Sequence, residues 1–476
     1  MKRRTKIVAT IGPSTHDQDQ LRNLVHAGMD VARLNMSHGS QDQQMEVIRC
    51  LRDLSKETGK AIGILLDLQG PKIRTGDLPE GKVVELVQGE SVDLVFEPTD
   101  RSTSKIVINY PFLYKDLSKG NRVLLDDGSL ELRVVKIDGN RIRTEVVTGG
   151  HLGSRKGVNV PGVHLRVPSL TEKDKNDVAF GIKAGVDMIA LSFIRAADDI
   201  IELRNLVIDN SPECEDLPII AKLEKPEAVE RLDEILEQSN GVMVARGDLG
   251  VEVSPEKVPS LQKQIIAHAI RHRCFVITAT QMLESMIRNP KPSRAEASDV
   301  ANAIFDGSDA LMLSGETAIG DHPIQSVETM ERIIVDAEFH REKWGFRSSK
   351  RDGATSKDAV ATTIAARQLA KDRGADAIAV FTRSGRTAQY MSNVRPEVPI
   401  FAFTPENRTY NRMSILWGVK PQLIPHAQTV EEMISLVDAS LTSTGECQKG
   451  QQVVLIASLP IGAMGPANFT LLHTIE

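Results

Sequence analysis

The chain has 476 residues, 41% hydrophobic and 26% charged, with a net charge of −6. That length exceeds what one hydrophobic core serves, so two to four domains are expected. A mildly acidic balance argues against a protein that binds nucleic acid or an acidic membrane surface through a global basic field.

In chain order, Lys6–Gly12 reads as a buried strand, followed by a helical pattern from Asp17 to Ala27. A strand over Val31–Ser37, a helix over Gln41–Thr58 and a strand over Ala61–Gln69 follow. Strand and helix in alternation are the mark of parallel βα units. From about Lys82 to Val160 the rhythm changes to short alternating runs. Turn signals at Asp127-Gly128 and Asp138-Gly139-Asn140 favour antiparallel hairpins, so a small inserted β domain, a barrel, is expected.

The βα rhythm resumes at Leu170, where Thr171 and Asp174 predict a capping box, as do Ser293 and Glu296 further on. Five more strands are predicted: Met188–Phe193, Ile219–Glu224, Gly241–Arg246, Phe275–Met282 and Ala310–Glu316. Three and five make eight, the closing number of a TIM (β/α)8 barrel. An open doubly wound sheet is the alternative. The polar stretch RSSKRDGATSKD after Trp344 reads as a linker to a C-terminal α/β unit. Its predicted strands are Ala377–Thr382, Val398–Phe403, Gln452–Ala457 and a last one near Asn468–Ile475. The expected domains are 1–69 with 169–345 for the barrel, 70–168 for the insertion and 346–476 for the C-terminal unit.

Cys50, Cys214, Cys274 and Cys447 show no C-x-x-C spacing, against a zinc or disulfide framework. No apolar run reaches membrane-spanning length, and the basic N-terminus lacks the apolar core of a signal peptide. A cytoplasmic protein without a membrane partner is expected.

Functional groups of a TIM barrel gather at the carboxyl ends of its strands. Here the second strand ends in Arg33, Asn35 and Ser37, and the third in Asp67. The fifth ends in Lys222 and Glu224, and the sixth leads into Arg246-Gly247-Asp248. The seventh carries Thr278, Thr280 and Gln281, and the eighth ends in Ser314, Gly315 and Glu316. One rim therefore collects the chemistry. Glu224 and Asp248 end adjacent strands, so their hard oxygens can converge on Mg²⁺ or Mn²⁺. As ordinary loop acids they would instead make surface salt bridges.

Lys222 shares the pleat face of Glu224. An ammonium there suits a phosphoryl anion, or simply pairs with a nearby acid. Gly247-Asp248-Leu249-Gly250 offers backbone N–H groups to a carboxylate or phosphate oxygen, though such a stretch is more often a plain turn. There is no Walker A pattern. In the C-terminal unit, Thr382-Arg383-Ser384-Gly385-Arg386-Thr387 lies between a strand and a helix. It reads as an anion nest, with a plain helix cap as the alternative.

The segments KIVATIGPST, VARLNMSHGS, LLDLQGPKIRT, KGVNVPG, IIAKLEKPEAV, MVARGDLGVE, ITATQMLESMI and ALMLSGETA resemble the pyruvate kinase family, over essentially the whole chain. The resemblance implies a barrel, an inserted β lid and a C-terminal regulatory domain. It implies Mg²⁺-dependent phosphoryl transfer from phosphoenolpyruvate to ADP, giving pyruvate and ATP in glycolysis. By the same resemblance Lys222 stabilises the transferring phosphoryl group, Arg33 contacts it, and Glu224 and Asp248 hold the metal. Thr280, with the backbone of Gly247 and Asp248, would hold the substrate carboxylate. Thr280, Ser314 and Glu316 would form the relay that protonates enolpyruvate. Pro13, Asn35, His38 and Arg74 would surround ADP, with Lys156 reaching in from the lid.

Many members hold K⁺ with groups matching Asn35, Ser37, Asp67 and the carbonyl of Leu68, near a glutamate in D-T-K-G-P-E. This chain reads Asp67-Leu68-Gln69-Gly70-Pro71-Lys72. Lys72 takes the glutamate's place, and an ammonium can stand in for a monovalent cation. K⁺ independence is therefore expected, with a solvated Lys72 as the alternative. The Thr382–Thr387 nest matches the family's effector-phosphate loop, implying activation by a sugar phosphate or AMP. Homotetramers are usual in the family. The competing readings are a Mg²⁺-dependent barrel lyase or aldolase acting on an enolpyruvate, and a catalytically dead metabolite sensor. The intact set of Lys222, Glu224, Asp248 and Thr280 argues against the sensor.

Overall fold

The computed structural model describes residues 3–78, 83–96, 105–344, 357–461 and 465–476. Most of the expected linker, with the boundary at 345/346, lies outside these residues.

Eight strands form the scaffold: β1 (Lys6–Ile11), β2 (Val31–Asn35), β3 (Gly63–Asp67), β4 (Met188–Leu191), β5 (Ile219–Leu223), β6 (Gly241–Ala245), β7 (Phe275–Ala279) and β8 (Ala310–Leu313). They pair in parallel and close in chain order. The open-sheet alternative is thereby removed.

The alternation of side chains along each strand explains the two cores. Ile7, Ala9, Ala32, Leu34, Ile64, Leu66 and Ile189 pack outward with the surrounding helices. Val8, Val31, Leu65, Met188, Ala190, Ile220, Met243, Ile277, Ala310 and Met312 belong to a second cluster that fills the barrel. Helix starts are fixed by side chains. Asp17 accepts the N–H of Gln20, and capping boxes form at Ser40–Gln43, Thr171–Asp174 and Ser293–Glu296.

Between β3 and β4 the inserted domain builds a six-stranded sheet and a ribbon pairing Val84–Leu86 with Gly150–Leu152. Sheet and ribbon wrap one core that includes Leu86, Leu94, Val123, Leu132 and Leu152. The insertion rests on the barrel. Asn159 Nδ2 donates to Glu252 Oε1 at 2.8 Å, and Arg195 Nη2 donates to the Val167 carbonyl at 2.7 Å.

The C-terminal unit is a five-stranded sheet ordered Val419–Leu423, Ile400–Thr404, Ala377–Phe381, Gln452–Ala457 and Phe469–Thr474, the last antiparallel. Val419–Leu423 was not expected as a strand. Its sequence, VKPQL, carries a proline and little apolar patterning, which the chain tolerates because the strand lies at the sheet's edge. This unit seals the barrel floor. Met413, Ile415 and Leu416 join the core that fills the barrel. Lys6 Nζ donates to the Val419 carbonyl at 2.7 Å, and Arg395 pairs with Asp309 at 2.8 Å.

Candidate active site

Strand parity carries the apolar interior upward into a polar rim. Two residues beyond Val8, Val31, Leu65 and Ile220 come Thr10, Arg33, Asp67 and Lys222, and Asn35 and Glu224 follow after two more. Register sets Thr10 beside Arg33 and Asn35 beside Asp67.

Asp67, 1% exposed, is the hub. Its Oδ2 accepts Arg33 Nε at 2.6 Å, and its Oδ1 lies 3.2 Å from Lys222 Nζ. Arg33 also reaches Thr10 Oγ1 at 3.0 Å. Lys222 Nζ lies 2.9 Å from Glu224 Oε1 and 2.6 Å from Ser192 Oγ. Burial pushes the Asp67 carboxyl up, but Lys222 and Arg33 outweigh it and hold the group below the usual range. For Lys222, burial favours the neutral amine, yet Asp67 and Glu224 overcome it and raise its pKa, so the side chain stays cationic. Lys222 does pair with nearby acids, and those acids are themselves part of the rim.

Glu224 is also buried, and its Oε2 accepts the Phe193 N–H at 2.8 Å. Burial first, and then repulsion from Asp248, raise its carboxyl against the pull of Lys222. The carboxylate of Asp248 has no hydrogen-bond or ion-pair partner among the described residues. Two acids that repel each other, one of them free, form a donor set that a divalent cation would relieve. No cluster of three or more potential protein ligands occurs among the described residues. Two carboxylates nonetheless suit Mg²⁺, which keeps several waters and takes substrate oxygens.

The β6–β7 rim is braced by buried Arg246, which donates to Asp299 Oδ1 at 2.7 Å and to the Thr280 carbonyl at 2.9 Å. Thr280 and Gln281 have φ of 67° and 54°, a left-handed pair that non-glycine residues keep only under such constraint. Thr280 Oγ1 accepts the Gly247 N–H at 2.8 Å, so these two expected partners do meet. Glu316 is fully buried and acts as a strut. Its Oε2 accepts the Ser314 N–H at 2.7 Å and its Oε1 the Leu283 N–H at 2.9 Å. The Ser314 hydroxyl is buried without a partner among the described residues.

On the side facing the lid, partial burial lowers the His38 pKa, and Arg74, Lys72 and Arg33 add to the effect. These four groups therefore share one neighbourhood. Lys156 Nζ instead lies 2.9 Å from Asp126 Oδ1, within the lid itself. Pro13 is exposed, and its carbonyl lies 3.0 Å from His16 Nδ1. At the cation position, Asn35 Oδ1 accepts the Ser37 N–H at 3.1 Å and the Leu68 carbonyl accepts from Ser192 at 2.8 Å. The Lys72 ammonium has no hydrogen-bond or ion-pair partner among the described residues.

In the C-terminal unit Thr382, Arg383, Ser384, Arg386 and Thr387 line a cavity of about 670 Å³. Gly385, at φ 83°, donates its N–H to Thr382 Oγ1 at 2.9 Å, which turns the loop into its helix. Arg383 Nη2 lies 3.4 Å from Glu406 Oε1.

Sequence reasoning missed Ser192, which touches both Lys222 and Leu68. The available signal was parity, because Ser192 follows Met188 and Ala190 at steps of two, as Lys222 follows Ile220.

Cations and convergent carboxylates at the carboxyl rim of a closed eight-stranded barrel define a TIM-barrel enzyme built for an anionic substrate. The barrel-domain model of pyruvate kinase matches residues 2–327 and its alpha/beta-domain model matches 360–473, so the chain belongs to the pyruvate kinase family. It is 45% identical to the pyruvate kinase of Geobacillus stearothermophilus over 100% of this chain and 81% of that one. Identity to the pyruvate kinase of Sporosarcina psychrophila is 42%, over 99% of this chain and 80% of that one. A solved pyruvate kinase from Cryptosporidium parvum superposes with a TM-score of 0.91 at 33% identity, covering 100% and 96% of the two chains. The enzyme is thus a transferase of the kinase class. Among the described residues no helix is long and apolar enough to cross a membrane.

Proposed function

We propose that this enzyme moves the phosphoryl group of phosphoenolpyruvate to ADP, yielding pyruvate and ATP in glycolysis in the cytoplasm. The observation that carries the reading is the buried array in which Arg33 and Lys222 grip the two oxygens of Asp67, with Glu224 and Asp248 alongside. Arg33 and Lys222 present fixed positive charge where a phosphoryl group would lie. Mg²⁺, or Mn²⁺, held by Glu224 and Asp248 would neutralise charge developing on the transferred group. Thr280, with the backbone of Gly247 and Asp248, holds the substrate carboxylate. Ser314 supplies the free hydroxyl of the relay to enolpyruvate, and Glu316 fixes its position.

The domains are 1–69 with 169–345, 70–168 as the lid, and 346–476. ADP lies among Pro13, Asn35, His38 and Arg74, with Lys156 leaving Asp126 as the lid closes. Lys72 replaces K⁺ at the position of Asn35, Ser37, Asp67 and Leu68, a reading that rests on its place in the stretch Asp67-Leu68-Gln69-Gly70-Pro71-Lys72. A phosphorylated metabolite binds at Thr382–Thr387 in the C-terminal cavity and activates a homotetramer.

Pyruvate formation from phosphoenolpyruvate, ADP and Mg²⁺ is to be followed in K⁺-free buffer and again with KCl. Full turnover is expected in both. Activity only with KCl removes the Lys72 assignment, and no pyruvate in either, with phosphosugars or AMP present, favours the lyase. Arg386→Ala should shift the activation curve, and an unchanged curve removes the effector assignment.

A further inference from the structure

The turn after β4 touches the rim twice. Lys222 Nζ donates to Ser192 Oγ at 2.6 Å, and Ser192 Oγ in turn donates to the Leu68 carbonyl at 2.8 Å. The next residue, Phe193, gives its N–H to Glu224 Oε2 at 2.8 Å and holds a φ of 57°. A hydroxyl has one proton. Because the Leu68 carbonyl takes that proton, a lone pair is left facing the ammonium, and the three groups form one polarised chain. Ser192 is 2% exposed, so water does not compete for either bond.

An ammonium has three donors; that of Lys222 donates to Ser192 Oγ and also lies 2.9 Å from Glu224 Oε1 and 3.2 Å from Asp67 Oδ1. The contact to Asp67 is the longest, and that oxygen has no well-aligned hydrogen bond. An arriving phosphoryl oxygen would therefore displace Asp67 and leave the other two acceptors in place.

We infer that Ser192 is a positioning residue for phosphoryl transfer, its hydroxyl, oriented by the Leu68 carbonyl, aiming the Lys222 ammonium at the transferring group. This rests on the proposed role of Lys222. Ser192 acts through that lysine and touches no substrate.

The test compares Ser192→Ala, Ser192→Cys and Ser192→Thr with the wild-type enzyme, measuring kcat, the KM for phosphoenolpyruvate and the thermal midpoint. Removing a hydrogen bond to a charged group from the transition state should lower kcat about tenfold in the Ala and Cys variants. KM should change by less than about twofold, because the substrate's other contacts remain. The Thr variant keeps the hydroxyl and should recover most of kcat. If Ala and Cys retain kcat within about twofold of wild type, the inference is overturned. It is equally overturned if kcat falls only in proportion to a lowered thermal midpoint. A Thr variant that fails to fold leaves the Ala and Cys pair decisive, since Cys matches Ser in shape but accepts from an ammonium poorly. A wild-type enzyme inactive with phosphoenolpyruvate and ADP would instead remove the proposed function itself.

Discussion

The hydroxyl oxygen of Ser414 lies 2.5 Å from where a Cβ on Gly63 would stand. Gly63 opens β3 inside the barrel, and Ser414 sits in the short 3-10 turn Met413–Ile415 of the C-terminal unit. The missing side chain thus lets one domain plug the floor of another. Gly63→Ala should cost about 1–3 kcal/mol, as overpacking of a dense core does. The Ser414 hydroxyl has no partner among the described residues, so adding Ser414→Ala should restore much of the lost thermal midpoint. No recovery in the double variant would mean the clash lies with Met188 or Val31, each with an atom 3.2 Å from that Cβ.

Asp30 ties the N-terminal segment to the barrel. It accepts from Arg3 Nη1 at 2.6 Å and from the Ile7 N–H at 2.9 Å. Burial raises its carboxyl, but Arg3, Lys60 and Lys6 outweigh burial and hold it at about 2, against an ordinary 3.8. The unfolded chain takes up this proton at the higher pH. The stabilisation is therefore complete above 3.8 and is lost as pH falls through about 2. It amounts to roughly 2 kcal/mol. Asp30→Asn should melt below the wild type at neutral pH, and the gap should close between about pH 4 and 2. A gap independent of pH would show that the amide loses only shape.

Glu316 offers one oxygen to the Ser314 N–H and the other to the Leu283 N–H. A glutamine has one acceptor, so Glu316→Gln turns an NH2 toward a buried N–H. The expected cost is about 1–3 kcal/mol, seen as a lower thermal midpoint together with a lower kcat. Unchanged stability would contradict the strut.

Asn159 bridges the lid to Glu252, the last residue of the helix Arg246–Glu252 that carries Asp248. Asn159→Ala should loosen closure without unfolding either domain. The expected signature is a kcat/KM lowered about tenfold at an unchanged thermal midpoint. Equal kcat/KM would mean that other contacts, such as Arg195 to the Val167 carbonyl, hold the lid on their own.

Much of the architecture was legible in local pattern. The eight strand runs, the boxes at Thr171–Asp174 and Ser293–Glu296, and the turns at Asp127-Gly128 and Gly139 each follow from spacing within a few residues. Val419–Leu423 was not legible, because Pro421 and Lys420 spoil the pattern while the neighbouring strand Ile400–Thr404 supplies the pairing. Ser192 escaped notice because serine after an apolar run is common, and its partners lie 30 and 124 residues away along the chain.

By itself, the sequence determined which residues reach the rim. Parity along a strand is a property of the backbone, so Arg33, Asp67, Lys222 and Glu224 fall on one face wherever the strands are placed. Only the tertiary structure decided what those groups do to one another. Closing the ring brings Asp67 between two cations and occupies both oxygens of Glu316, while the lid's own fold sets Lys156 on Asp126. Coulomb energy and hydrogen bonding depend on distance and burial, and those are set only when strands far apart in sequence are packed side by side.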